Sequence, residues 1–117
     1  MGCRGLGGVL LNRGEIRWCS FNPPDKKRPV LILSRNEVAE KLNEVIVVPI
    51  TRTVRGLVTE VLLGEEDGML ADCALNFDHL SIVQREQLGA RIGFLSDAKW
   101  EEARTALLAA CGFRHSK

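Results

Sequence analysis

The sequence predicts a mainly β (α+β) domain, a small and strongly bent antiparallel sheet with a C-terminal amphipathic helix. Three observations carry this. Hydrophobic residues alternate with a period of two near the start, two continuous β-branched runs follow, and the one stretch with helical spacing comes last. At 117 residues the chain reads as one domain, long enough to bury a core without disulfides or a metal.

Residues 1–12 open with Met1-Gly2-Cys3-Arg4-Gly5-Leu6-Gly7-Gly8 and read as a flexible N-terminal extension, with the folded domain spanning 13–117. From Gly14 to Phe21 the chain alternates. Ile16, Trp18 and Ser20 point one way, and Glu15, Arg17 and Cys19 the other, which makes a strand with Trp18 expected in the core. Asn22-Pro23-Pro24-Asp25 is a turn, because proline cannot donate to a ladder. The runs Pro29 to Ser34 and Val45 to Thr51 are too apolar for strands with one wet face, so they are expected at the centre of the sheet. Between them, Arg35 to Leu42 reads as a short helix or irregular turn.

Leu57 to Leu63 is expected to be another strand, stopped by the acidic loop Gly64-Glu65-Glu66-Asp67-Gly68. Met69 to Val83 reads as mostly extended with a bend near Asn76-Phe77-Asp78, and Arg91 to Leu95 as a last short strand. The helix follows. Ser96 is a suitable N-cap, Trp100, Ala103, Leu107, Leu108 and Cys111 recur at helical spacing, and Gly112 ends it.

Composition narrows the function classes. No apolar run is long enough to cross a bilayer, so no membrane association is expected. The net charge of +1 is unevenly spread: residues 1–58 carry ten Lys/Arg against five Asp/Glu, and residues 59–117 carry six against ten. A polyanion could find a basic strip on the first half, although a mixed, solvated surface is the plainer reading. Cys3, Cys19, Cys73 and Cys111 show no CxxC pair and no histidine at a metal-ligand spacing. They read as free thiols in a cytoplasmic protein, with Cys19, Cys73 and Cys111 expected to be buried.

Three segments in order resemble the MazF/PemK family of toxin endoribonucleases. Arg13-Gly14-Glu15-Ile16-Arg17-Trp18 resembles the family's RGEIW-type opening strand. Arg28 to Ser34 and Val45 to Thr51 resemble its RPVLVLS and VIVVPIT strands. Asp78-His79-Leu80 through Leu88, followed by Arg91 to Ser96, resembles DQI and RIGxLS. The likeness runs from about Arg13 to Phe113. It departs from the pattern in the short Pro23 to Lys27 loop, which lacks a GxEQxG-like stretch, and at Ser81 and Ile82, where Arg and Thr are frequent.

The resemblance implies an SH3-like barrel with a C-terminal helix, a homodimer, a cognate antitoxin protein as partner, and cleavage of single-stranded RNA at short sequences. No metal and no cofactor are implied. Cleavage of this kind needs a group that stabilises charge on phosphorus, and a guanidinium fork suits that task. By position, the resemblance assigns that role to Arg28 and a catalytic hydroxyl to Thr51, while Asp78 is a third catalytic candidate for acid/base work. The plainer readings are a surface arginine at a strand entry, a strand-end threonine and an Asp that caps local amides. RNA is expected to track along Lys26, Lys27, Arg28, Arg52 and Arg55, with His79 beside it and Phe21 or Trp18 as a stacking face. The alternative function is a toxin or binding module of the same fold that acts on a protein such as DNA gyrase without cutting RNA.

Overall fold

The computed structural model describes residues 11–21, 26–36 and 43–113. The first ten residues, the Asn22-Pro23-Pro24-Asp25 turn, most of the Arg35 to Leu42 segment and the tail with His115 lie outside these. Among the described residues, seven strands and one helix form in chain order: β1 Glu15–Ser20, β2 Lys27–Ile32, β3 Glu44–Thr51, β4 Glu60–Leu63, β5 Cys73–Asn76, β6 Ser81–Gln84, β7 Leu88–Phe94 and α1 Trp100–Ala110. All pairings are antiparallel, and the sheet runs β4-β5-β3-β2-β1-β7, with β6 also on β3.

The bend follows from how β3 is shared. One edge of β3 pairs with β2, from Val30 opposite Pro49 to Ile32 opposite Val47. Its other edge is divided: Glu44 to Val47 pair with β6, whereas Ile50 and Thr51 pair with β5. The sheet therefore forks along one strand and curls into a half-barrel.

Both central strands bury both faces, which is why their sequences are continuous apolar runs rather than alternating ones. Leu31, Val48 and Ile50 join Ile16, Leu75, Phe77, Leu95, Ala103 and Ala106 in the larger core, between the sheet and α1. Val30, Ile32, Val45 and Val47 join Leu11, Cys19, Val83 and Leu88 in a second core on the opposite face, with Phe21 packed against it. Leu11 is 1 % exposed, and the Asn12 amide donates to Glu15 Oε1 at 3.2 Å. These two residues, which the sequence reading placed in the extension, are part of the folded body.

Three expectations are corrected. Trp18 is 42 % exposed rather than in the core. The strand expected from Leu57 begins only at Glu60, because Glu60 Oε1 accepts the amides of Arg55, Gly56 and Leu57 and turns that segment into a loop. Cys111 is exposed just beyond the end of α1, whereas Cys19 and Cys73 are buried free thiols as expected.

The helix begins later than Ser96 suggests. Residues Asp97–Lys99 form a 3-10 turn, the Ser96 side chain makes no cap bond, and the α-helix proper starts at Trp100. What holds this entry is Asp67, whose carboxylate accepts the Ser96 amide at 2.8 Å, the Gly64 amide at 3.1 Å and the Lys99 ammonium at 2.7 Å. At the other end Gly112 adopts φ +83. Phe113 N–H donates to Leu108 O at 2.8 Å and Gly112 N–H to Ala109 O at 3.1 Å, the paired bonds of a Schellman stop.

Candidate functional site

The second face of β2 and β3 continues past its core. Two residues before Val30 on that face comes Arg28, and four after Val47 comes Thr51. Extending the Val30–Pro49 register by two residues sets Arg28 opposite Thr51. The two side chains line one cleft of about 420 Å³, together with Phe21, Pro49, Thr53, Arg55, Asn76 and His79. Where apolar side chains would have extended the core, the sequence substitutes a guanidinium and a hydroxyl. A neighbouring cleft of about 580 Å³ shares Phe21 and Arg28 and adds Lys26, Ser81 and Gln87.

Local hydrogen bonds preset these groups. Thr51 Oγ1 accepts the Thr53 amide at 3.0 Å, which occupies a lone pair and leaves the hydroxyl proton to donate elsewhere. Asn76 begins the Phe77–His79 turn, its Oδ1 accepting the Asp78 amide at 3.0 Å while its Nδ2 sits 2.7 Å from His79 Nδ1. The Gln87 side chain donates from Nε2 to Ser20 O at 2.8 Å and ties the start of β7 to the end of β1. Among the described residues, no group of three or more His, Cys, Asp or Glu side chains is arranged to hold a metal ion.

The sequence-derived candidates divide accordingly. Arg28, Thr51, Arg55 and His79 meet in one cleft, and Lys26 lines the adjoining one. Lys27 is exposed at the start of β2, on the face opposite Arg28. Arg52 is exposed and turns away from Thr51, toward the side of Cys73. Asp78 lines neither cleft, and its carboxylate accepts the Thr59 hydroxyl at 2.7 Å. Sequence reasoning missed Asn76, Thr53 and Gln87 as lining residues. For Asn76 the available signal was its place at the bend, where an Asn that caps a turn also reaches its third neighbour.

Residues 12–110 match the family described as PemK-like, MazF-like toxin of type II toxin-antitoxin system. This chain belongs to that family. It is 41 % identical over 103 residues to the "Probable endoribonuclease MazF2" of Mycobacterium tuberculosis, covering 87 % of this chain and 99 % of that protein. With the endoribonuclease MazF3 of the same organism it shares 44 % identity over 71 residues, 61 % of this chain and 69 % of the relative. Among solved structures, the M. tuberculosis toxin MazF-mt6 superposes with a TM-score of 0.80 at 33 % identity, covering 86 % of this chain and 99 % of that one. An endoribonuclease in complex with its cognate antitoxin, from a mycobacterial species, superposes at 0.82 with 26 % identity, covering 91 % and 99 %. The half-barrel with one C-terminal helix is thus the PemK/MazF-like toxin fold, and these relatives do not favour the gyrase-directed alternative.

Proposed function

We propose that this chain is the toxin of a type II toxin-antitoxin pair, a sequence-selective endoribonuclease that cuts single-stranded RNA at the cleft where β2 begins and β3 ends. The observation that carries the reading is the meeting of Arg28 and Thr51 in one cleft at the open end of the second core. The ribose 2′-hydroxyl gives its proton to solvent and attacks the adjacent phosphorus, the bond to the 5′-oxygen breaks, that oxygen takes a proton back from solvent, and a cyclic phosphate and a 5′-hydroxyl result. Arg28 holds the non-bridging oxygens as their charge grows, and the Thr51 hydroxyl donates a hydrogen bond to the same oxygens. Neither step calls on a metal or a cofactor.

Phe21 lines both clefts and offers a ring on which a base can stack, while Lys26 and Arg55 carry the strand on either side. Asp78, whose carboxylate accepts the Thr59 hydroxyl, supports the turn that presents His79. Lys27 and Arg52 add positive potential from the other face without touching the cleft. The working form is a homodimer, silenced by a cognate antitoxin protein in the cytoplasm. Among the described residues no helix is long and apolar enough to cross a membrane.

The test is to incubate purified protein with a defined transcript and map new 5′ ends, beside the Arg28→Ala variant. Cuts at a short recurring sequence that disappear in the variant support the reading. Intact transcripts with the wild type, at concentrations that arrest growth, would sink it.

A further inference from the structure

Asn76 controls the chemistry of His79 through one amide group. Its Oδ1 is committed to the Asp78 N–H at 3.0 Å, which fixes the orientation of the amide and turns the NH2 toward His79. An NH2 group only donates, so His79 Nδ1, 2.7 Å away, must present its lone pair. The neutral ring therefore carries its proton on Nε2. The backbone is clamped as well, since the Ser81 hydroxyl donates to His79 O at 2.7 Å.

The ring lines the cleft with Phe21, Arg28, Thr51, Thr53 and Arg55. Among the described residues, Nε2 has no hydrogen-bond partner. The charged groups around it are the Arg28 and Arg55 guanidiniums in the cleft, and Asp78 on its own turn, whose carboxylate is taken by Thr59. An N–H donor in a cleft that also holds an aromatic ring suits a base edge, whereas the guanidiniums suit phosphate. We propose that Asn76 holds His79 with its Nε2–H as a fixed donor, and that this donor selects a nucleotide flanking the cut by bonding an acceptor on the edge of its base. The proposal rests on the nuclease reading above and adds to it a specificity-determining residue, His79, and its positioning residue, Asn76.

The test is cleavage of a random-sequence RNA pool with sequenced ends, using wild type, Arg28→Ala, His79→Phe, His79→Gln and Asn76→Asp. In His79→Phe, the base preference at one position beside the cut flattens by about tenfold, the value of a single hydrogen bond, while the other positions keep theirs. His79→Gln, which retains a side-chain N–H, keeps part of that preference. In Asn76→Asp the new carboxylate accepts from Nδ1–H, which leaves Nε2 its lone pair, and the preference moves to base edges that donate.

An unchanged preference at every position in His79→Phe overturns the inference. So does an equal slowing of all sequences with loss of one limb of the pH–rate profile, which would make His79 a proton carrier. Thermal melts of each variant establish that it is folded. If wild type cuts nothing, the nuclease reading itself fails. If wild type cuts, Arg28→Ala does not, and the preferences are unmoved in the His79 variants, only this inference fails.

Discussion

Asp67 Oδ2 lies 2.7 Å from Lys99 Nζ, and the Asp67 side chain is wholly buried while that of Lys99 is 14 % exposed. The pair fastens the turn after β4 to the entry of α1. Asp67→Ala removes the acceptor for two backbone amides and strands an ammonium that keeps only Glu66, also at 2.7 Å. The expected loss is about 3 kcal/mol, a fall in Tm of roughly 10 °C, read by calorimetry.

The same pair sets a pH dependence. Burial works to raise the Asp67 pKa, but the Lys99 ammonium and the Ser96 and Gly64 amides outweigh it and hold the carboxyl below its ordinary 3.8. Burial works to lower that of Lys99, and the bonds to Asp67 and Glu66 outweigh it and hold the ammonium above its ordinary 10.5. A depressed carboxylate stabilises the fold above its unfolded value and loses that contribution as pH falls through the folded one. A raised lysine stabilises below its unfolded value and loses it as pH climbs through the folded one. Urea midpoints should therefore be level between these limits for this pair and decline beyond both, and Asp67→Ala should flatten the acid decline.

Gly93 sits against the same turn. A Cβ there would collide with the Asp67 carbonyl oxygen, and it would lie 3.1 Å from Gly68 Cα, backbone in both cases. Gly93→Ala should cost about 2–4 kcal/mol because neither neighbour can swing aside. A denaturant titration checks it.

At the cleft, Arg28→Lys keeps the charge and loses the planar fork. Cleavage should fall by about 10²–10³-fold in kcat with a smaller change in KM, the pattern of an interaction made chiefly in the transition state. Thr51→Val, which removes only the hydroxyl, should act in the same direction. Single-turnover cleavage of a short oligonucleotide measures both.

Leu11 supplies the remaining prediction. Leu11→Ala opens a gap in the second core, which borders the cleft, and should cost about 3 kcal/mol by thermal melt.

The central strands were legible because each residue type met a single demand. Val30, Leu31 and Ile32, and likewise Val45, Val47 and Val48, are all buried, and within these apolar runs only Ile46 among the large aliphatics is exposed. Arg28 and Thr51, which the family resemblance singles out, stand on the same face as Val30 and Val47, and the cleft they share opens at the end of that face. Phe21, the aromatic just beyond the end of β1, lines both clefts.

Other features depended on partners far away in the sequence. Ser96 resembled a cap, but its amide is claimed by Asp67, 29 residues earlier, and no local pattern announces that. Trp18 alternated correctly with Ile16, yet the curl of the sheet leaves its position open to solvent while Ile16 meets the helix core. The long strand expected from Leu57 was shortened by one carboxylate, that of Glu60, gathering three amides. The two halves of the extended 69–83 segment separate because Asn76 caps a turn between them, and the same amide sets the tautomer of His79.

Because β3 belongs to both branches of the sheet, its alignment is decided once for everything attached to it. A slip by a single residue would rotate Val45 and Val47 out of their pocket and carry Thr51 to the far face along with them. A misfolded copy would then be unstable and inert by the same error. A cell that makes a potentially lethal protein gains from that coupling, since no loosely assembled form retains a working blade.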